Sequence, residues 1–136
     1  MENLNKYLGI KFRFHSKEKS NEYSNCLELA KRFYKDHGYL ENLDDGYPDV
    51  KNRNEMYIKR MLKYLIRNFK RVESIDELEF GDIILLYTGA HIGIYLGDNK
   101  ILAFEKECKE NISVSRIFTV DEIGKNNIRF CYKRKI

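Results

Sequence analysis

The stretch Ser24-Asn25-Cys26-Leu27-Glu28-Leu29 has the pattern of a turn that runs into a helix. Asn25 is a good N-cap, because its side-chain oxygen can accept a hydrogen bond from a backbone N–H of the first turn. Apolar residues then recur at the helical period, and Gly38 is a natural stop. We therefore predict a helix that begins at Cys26 and runs to about His37.

The position of Cys26 favours an ionised thiol. The free N–H groups and the dipole of a helix N-terminus stabilise an anion, so the pKa of a thiol there falls below its usual value of about 8.5. The same N–H groups can hold the oxyanion of an attacked carbonyl. The alternative is a small buried hydrophobe, since free cysteine is among the most buried residue types. Cys26 is therefore a candidate nucleophile, and the rest of the sequence must decide between these two interpretations.

The length and composition are those of one globular domain, spanning residues 1–136. Hydrophobic residues make up 43% of the chain and charged residues 34%, which fits a sizeable core under a charged surface. The net charge of +4 suits an anionic polymer such as bacterial wall material. It is too diffuse to indicate binding to nucleic acid, so no nucleic-acid partner is expected.

The cysteines argue against a disulfide framework and against a zinc site. There are three of them, Cys26, Cys108 and Cys131, at wide spacing and without a CxxC pair. We therefore expect no metal and no cofactor. The first twenty residues contain no apolar run long enough for a signal peptide or a membrane span. We expect a chain made in the cytoplasm without a signal peptide of its own, and no membrane partner.

The periodicity changes along the chain from helical to extended. Apolar residues at helical spacing predict a second helix over 55–70, and runs typical of strands follow at 81–87, 91–96, 100–105, 112–117 and 127–133. Thr119 is a cap for a short helix through Ile123. Helices followed by an antiparallel meander predict an α+β fold. In it, N-terminal helices pack on one face of a central antiparallel sheet of about five strands.

A cysteine nucleophile needs a base within reach, and imidazole is the usual one. His15 lies in a charged loop, and His37 would lie about 15 Å from Cys26 along the helix axis. His91 begins a predicted strand, so it is the histidine that the start of the helix can approach. The sequence permits this contact without requiring it, and the alternative is an ordinary strand-end histidine.

Three segments, in this order, resemble the NlpC-type, papain-like cysteine peptidases of bacteria and their phages. Asn25-Cys26-Leu27-Glu28-Leu29 is similar to the segment that opens the core helix of that family. Glu79-Phe80-Gly81-Asp82-Ile83-Ile84-Leu85 resembles its Pro-Gly-Asp-hydrophobic strand, and His91-Ile92-Gly93-Ile94-Tyr95-Leu96-Gly97-Asp98 resembles its His-hydrophobic-Gly-Ile-Tyr segment. Tyr7-Leu8-Gly9-Ile10-Lys11-Phe12 is similar to the opening of the family. The resemblance is nearly full length and is greatest to the phage-tail branch.

The resemblance implies a papain-like NlpC-type fold and a thiol hydrolase with Cys26 and His91 as its catalytic pair. Such an endopeptidase cleaves peptide bonds in the stem peptides of bacterial peptidoglycan through an acyl-enzyme. It implies phage tail proteins as partners and delivery to the cell wall by a phage tail. Tyr23, Ser24 and either Tyr87 or Thr88 would line the cleft, with ordinary loop and strand-end packing as the alternative for them.

The sequence departs from the family pattern at three places, the mildest of which is Asn25, which stands where the family has Asp and still caps the helix. The polar third residue that orients the catalytic imidazole falls at Leu102 or Ala103, neither of which can hydrogen-bond through its side chain. Glu105 shares a strand face with Ala103 and is the candidate substitute, with an ordinary exposed glutamate as the alternative. Glu28 stands where the family has glycine, at the mouth of the implied site, and its charge would raise the pKa of a nearby thiol.

These departures leave two other functions open beside the hydrolase. One is a catalytically impaired domain that keeps the fold for binding or phage-tail assembly. The other is a related amidase or acyltransferase that uses the same Cys26 and His91 pair on another acyl group. Asp82 is predicted to fix the turn into its strand, and Cys108 and Cys131 are predicted to be structural.

Overall fold

A computed structural model describes residues 4–12, 23–24, 26–39, 63, 65–86, 91–106 and 113–134. Within these residues one sheet of eight strands dominates the fold. The strands are β1 (Lys11–Phe12), β2 (Tyr23–Ser24), β3 (Phe69–Val72), β4 (Ile83–Leu86), β5 (His91–Gly97), β6 (Lys100–Lys106), β7 (Ser113–Thr119) and β8 (Ile128–Arg134). Their order across the sheet is β2-β1-β7-β6-β5-β4-β8-β3, and every neighbouring pair is antiparallel except β1 with β2.

The helices follow the capping signals of the sequence. Helix α1 spans Cys26–His37, as the periodicity and Gly38 predict. Helix α2 spans Val120–Ile123 and begins with a capping box, in which Thr119 accepts from the backbone N–H of Glu122 and the Glu122 carboxylate accepts from that of Thr119. Three short 3-10 turns complete the described elements, at Asn5–Tyr7, Ile75–Glu77 and Lys125–Asn127.

The sheet carries apolar side chains on both faces. On one face, α1 packs its buried residues Leu29, Ala30, Phe33 and Tyr34 against alternate residues of β4, β5 and β6, including Ile92 and Ile94. On the other face a second cluster joins Ile84, Leu86, Tyr95, Ile101, Ala103 and Phe118. Because successive side chains of a strand point to opposite faces, the two clusters are formed by alternate residues of the same strands. The core is therefore two apolar layers with the sheet between them.

The turn before β4 is held by a buried carboxylate. Asp82 is 1% exposed, and its side chain accepts hydrogen bonds from the backbone N–H groups of Glu79 at 2.7 Å and Arg134 at 3.0 Å. The Arg134 side chain lies beside it, with Nε 3.5 Å from the carboxylate. This confirms the predicted role of Asp82 in fixing the turn, and it also ties that turn to the end of β8.

The α+β class is confirmed, and two details of the predicted fold are corrected. The sheet has eight strands in the described residues, rather than about five, because short strands β1, β2 and β3 extend its edges. The second helix, predicted over 55–70, does not include Phe69 and Lys70. Residues 65–68 are helical, and Phe69 then begins β3, which pairs with β8. Most of the predicted helix lies outside the described residues.

Candidate functional site

A line of paired residues crosses the sheet where β2 leads into α1. Tyr23 of β2 pairs with Lys11, Lys11 pairs with Val114, and Val114 pairs with Glu105 of β6. Cys26 follows Tyr23 by three residues and is the first residue of α1. The start of the helix and the Glu105 position therefore belong to the same end of the sheet.

The β5–β6 hairpin brings His91 to this end as well. The hairpin turns at Asp98 and Asn99, whose φ angles of 50° and 61° are those of a tight turn. From there the strands pair Tyr95 with Ile101 and Ile94 with Leu102. The observed pairs end at Ile94 with Leu102, and an unbroken continuation of this register would set Glu105 opposite His91.

The other positions considered for a third catalytic residue are apolar and buried. Leu102 is 1% exposed and pairs with Ile94, and Ala103 is 2% exposed in the second apolar cluster. Neither of these two positions of β6 therefore has a polar side chain. Glu105 is the ionisable residue that a continued register would bring level with His91.

Hydrogen bonds fix where the C-terminal half of α1 lies on the sheet. The Tyr34 hydroxyl donates to the Gly81 carbonyl at 2.7 Å, and the Gly81 N–H donates to the Tyr95 carbonyl at 2.7 Å. These contacts hold that part of the helix beside the far end of β5, which α1 contacts. Cys26 lies about two turns earlier, some 12 Å along the helix axis, toward the strand end that His91 begins.

Helix α1, which begins at Cys26, and position 91 are nevertheless assigned to different faces of the sheet. Residues directly opposite each other in an antiparallel pair share a face of the sheet. His91 pairs with Leu86, which belongs to the cluster on the face away from α1. The structure thus brings Cys26 and His91 to one end of the sheet, and by register it assigns position 91 to the face opposite the helix. For Cys26 and His91 the structure describes the backbone.

A buried serine that sequence reasoning missed positions the segment before β1, the strand that pairs with β2. Ser115 is 0% exposed, and its hydroxyl donates to the Tyr7 carbonyl at 2.6 Å and accepts from the Ile10 N–H at 2.8 Å. Its backbone N–H and carbonyl pair with Ile10 and Gly9. Ser115 therefore attaches the segment before β1 to β7. A polar residue inside a strand run is the sequence signal that could have identified it.

His37 has a packing role at the end of α1. Its Nδ1 lies 2.6 Å from the Phe33 carbonyl, and its ring stacks on Phe33 at 4.1 Å between centroids. The neighbouring Asp36 accepts from the Tyr7 hydroxyl at 2.7 Å and pairs with Lys6 at 2.9 Å. Partial burial raises the pKa of Asp36, but the bonds from Tyr7 and Lys6 outweigh it, so the pKa is lowered overall. This agrees with the exclusion of His37 as a partner of Cys26.

The remaining predicted site residues stand as follows. Tyr23 and Ser24 form β2, and Glu28 lies in the first turn of α1. Five of the residues considered lie outside the described residues, namely Tyr87, Thr88, Asn25, His15 and Cys108. Cys131 is buried, and burial raises the pKa of its thiol, which fits the structural role predicted for it.

Two features are absent from the described part of the chain. No three histidine, cysteine, aspartate or glutamate side chains are grouped there so as to hold a metal ion. Of the helices described, none has the length and apolar character needed to cross a membrane.

The chain was compared with known proteins. No family model matches it, and a search of curated proteins finds no match.

Proposed function

We propose that the chain is a papain-like, NlpC-type thiol hydrolase that cleaves peptide bonds in bacterial peptidoglycan. The observation that carries the proposal is topological. The start of α1 at Cys26, the start of β5 at His91 and the Glu105 position of β6 all belong to one end of the sheet. The order of the three motif segments along the sequence supports the same assignment.

In this proposal Cys26 is the nucleophile and His91 the base. The imidazole takes the thiol proton, and the thiolate attacks the carbonyl carbon of a stem peptide. The oxyanion is held by N–H groups at the start of α1, and the amine leaves with the proton from His91. Water then hydrolyses the thioester, with His91 again accepting a proton. Glu105 is a positioning residue, whose carboxylate accepts a hydrogen bond from the second ring nitrogen.

The proposal sets one requirement on the local geometry. Strict alternation assigns position 91 to the face away from α1, so the imidazole has to turn around the end of the sheet to meet the thiol. Among the described residues, Leu86 is the one that pairs with this first residue of β5.

The activity test uses purified peptidoglycan and separates the released peptides by mass. The native chain should release stem-peptide fragments, and Cys26→Ala should lower the rate at least about a thousandfold. Cys108→Ser is the matched control and should keep the native rate. Equal rates for the native chain and Cys26→Ala would overturn the proposal.

A second function is favoured by the face assignment itself. If position 91 keeps the face opposite α1, the domain retains the fold without a catalytic pair and serves in binding, for example in phage-tail assembly. In that case the titration of the Cys26 thiol is unaffected by replacement of His91. The titration that separates the two functions is described at the end of the Discussion.

A further inference from the structure

The outer edge of β7, the edge away from β6, is covered only in part by the described residues. Lys11 of β1 pairs with Val114, and the segment before β1 bonds to Ser115. The Ser115 N–H donates to the Ile10 carbonyl at 2.9 Å, and the Ser115 carbonyl accepts from the Gly9 N–H at 2.8 Å. Beyond Ser115, no strand of the described residues pairs with this edge.

The backbone N–H and carbonyl of Ile117 point out from this edge. In an antiparallel ladder, alternate residues direct both of their backbone groups to the same side. Ser115 directs its groups away from β6, and the Thr119 N–H also points away, since it donates to a carboxylate oxygen of Glu122 at 2.9 Å. Ile117 lies midway between these two residues, so its groups have the same direction. Among the described residues, none bonds to Ile117 from that side.

A pocket of about 410 Å³ lies at this point of the edge, lined by residues 8–9 and 114–117. The described residues include three exposed large hydrophobic side chains, and two of them line this pocket. They are Leu8, which is 37% exposed, and Ile117, which is 38% exposed. An added strand would therefore find both space and apolar contacts beside Ile117.

The charged residue that lines this pocket is Arg116. Its side chain is exposed, and the guanidinium carbon lies 5.9 Å from the centre of the Phe118 ring. The hydrogen bonds from Thr119 lower the pKa of Glu122, and the charge of Arg116 acts in the same direction. In the described part of the chain, no carboxylate forms an ion pair with Arg116. The pocket therefore presents one positive charge to a ligand.

We propose that this gap in the edge of β7 binds a short extended peptide that carries a carboxylate side chain. An antiparallel strand added here exchanges two backbone hydrogen bonds with Ile117. The peptide residue opposite Ile117 shares its face of the sheet, where an apolar side chain packs against it. The next peptide residue lies opposite Arg116 and shares the face of that arginine. A carboxylate is the complementary group at this position.

A second copy of the chain is a poorer occupant than such a peptide. If the Ile117 residues of two copies paired with each other, the two Arg116 side chains would share one face of the joined sheet. They would be diagonal neighbours about 7–8 Å apart, where like charges repel. The carboxylate of a peptide is instead attracted to Arg116. This site does not depend on the function proposed for Cys26 and His91.

The test is a titration of the full native chain with a capped pentapeptide, Thr-Thr-Val-Glu-Thr, followed by amide NMR. The same peptide with Lys in place of Glu is the second probe. We expect saturable shifts centred on residues 116–118, and about fivefold weaker binding of the Lys peptide, as for one cross-strand charge pair. The Glu peptide should also slow hydrogen exchange at the Ile117 amide. The amides of Ser115 and Thr119 already have partners and should exchange as before.

A charge-reversal variant assigns the preference to Arg116. Arg116→Glu should bind the Lys peptide more tightly than the Glu peptide. Arg71→Glu is the matched control, because Arg71 is also exposed and lies over a ring, that of Phe130 at 4.5 Å. It makes the same change in net charge and should keep the native preference.

Four results would each overturn the proposal. The first is an absence of shifts or shifts centred away from residues 116–118, and the second is equal binding of the two peptides to the native chain. The third is the same reversal of preference in Arg71→Glu. The fourth is a concentration-dependent shift of the Ile117 amide without peptide, which would assign the edge to a second copy of the chain.

Discussion

The hydroxyl of Tyr34 in α1 donates a 2.7 Å hydrogen bond to the carbonyl of Gly81, 47 residues along the chain. Both groups are buried, and Gly81 in turn donates to the Tyr95 carbonyl of β5. This chain of bonds joins the helix, the turn before β4 and the far end of β5. It sets the direction in which α1 runs over the sheet, and so the end at which Cys26 lies.

Tyr34→Phe should destabilise the fold by about 1–3 kcal/mol, because it leaves the buried Gly81 carbonyl without this donor. Urea unfolding followed by circular dichroism measures the loss. Ile66→Ala is the control, since Ile66 is 70% exposed and its truncation should change the free energy of unfolding by no more than about 0.5 kcal/mol. A Tyr34→Phe variant as stable as the native chain would show that the bond does not hold the helix.

Ser115→Ala should destabilise the fold by about 1–3 kcal/mol, because the buried Ile10 N–H and Tyr7 carbonyl each lose a partner. The variant should lose local protection from hydrogen exchange as well as overall stability. Amide hydrogen exchange is expected to speed up at Ile10 and in β1 more than in the β5–β6 hairpin. Uniform protection in the variant would contradict the role of Ser115 as the attachment of the segment before β1.

Gly93→Ala should destabilise the fold by about 1–3 kcal/mol through overpacking. A Cβ at this position would lie 2.7 Å from Cγ2 of Ile101, a branched atom that cannot move far within a buried strand. Ile101→Leu removes that methyl group and is expected to recover part of the loss when combined with Gly93→Ala. A double-mutant cycle from urea unfolding measures the coupling, and additive losses would contradict the contact.

Asp36 should contribute stability that depends on pH. Its pKa is lowered in the folded chain, so the stabilisation is present above the unfolded pKa of about 4 and is lost as the pH falls through the folded value. Asp36→Asn is therefore expected to cost less than about 1 kcal/mol near neutral pH, and the difference should shrink in acid. Urea unfolding of both chains at several pH values checks this. A difference that grows on acidification would have the wrong sign.

The parts of the fold that the sequence predicts are those with local signals. Gly38 marks the end of α1, Thr119 with Glu122 marks the start of α2, and Gly97-Asp98-Asn99 marks the hairpin. Each signal acts within a few residues, so it is readable without the tertiary structure.

The parts that the sequence does not predict depend on distant partners. Phe69 and Lys70 continue the helical spacing of the preceding residues, yet pairing with β8 makes them a strand. Two-residue strands such as β1 carry no period at all. The pairing of β6 with β5 follows from the register of the hairpin, which shifts between Tyr95 and Gly97. A count along the sequence cannot anticipate that shift.

The most direct test of the proposed Cys26–His91 pair is the pH dependence of Cys26 alkylation. The rate with iodoacetamide is measured by mass spectrometry in the native chain and in His91→Gln, with buried Cys131 as the internal reference thiol. The proposed pair predicts a Cys26 midpoint at least about one unit below the usual 8.5, and a midpoint that rises when His91 is replaced. A midpoint that is the same in both chains would contradict the catalytic pair and leave the non-catalytic domain as the function.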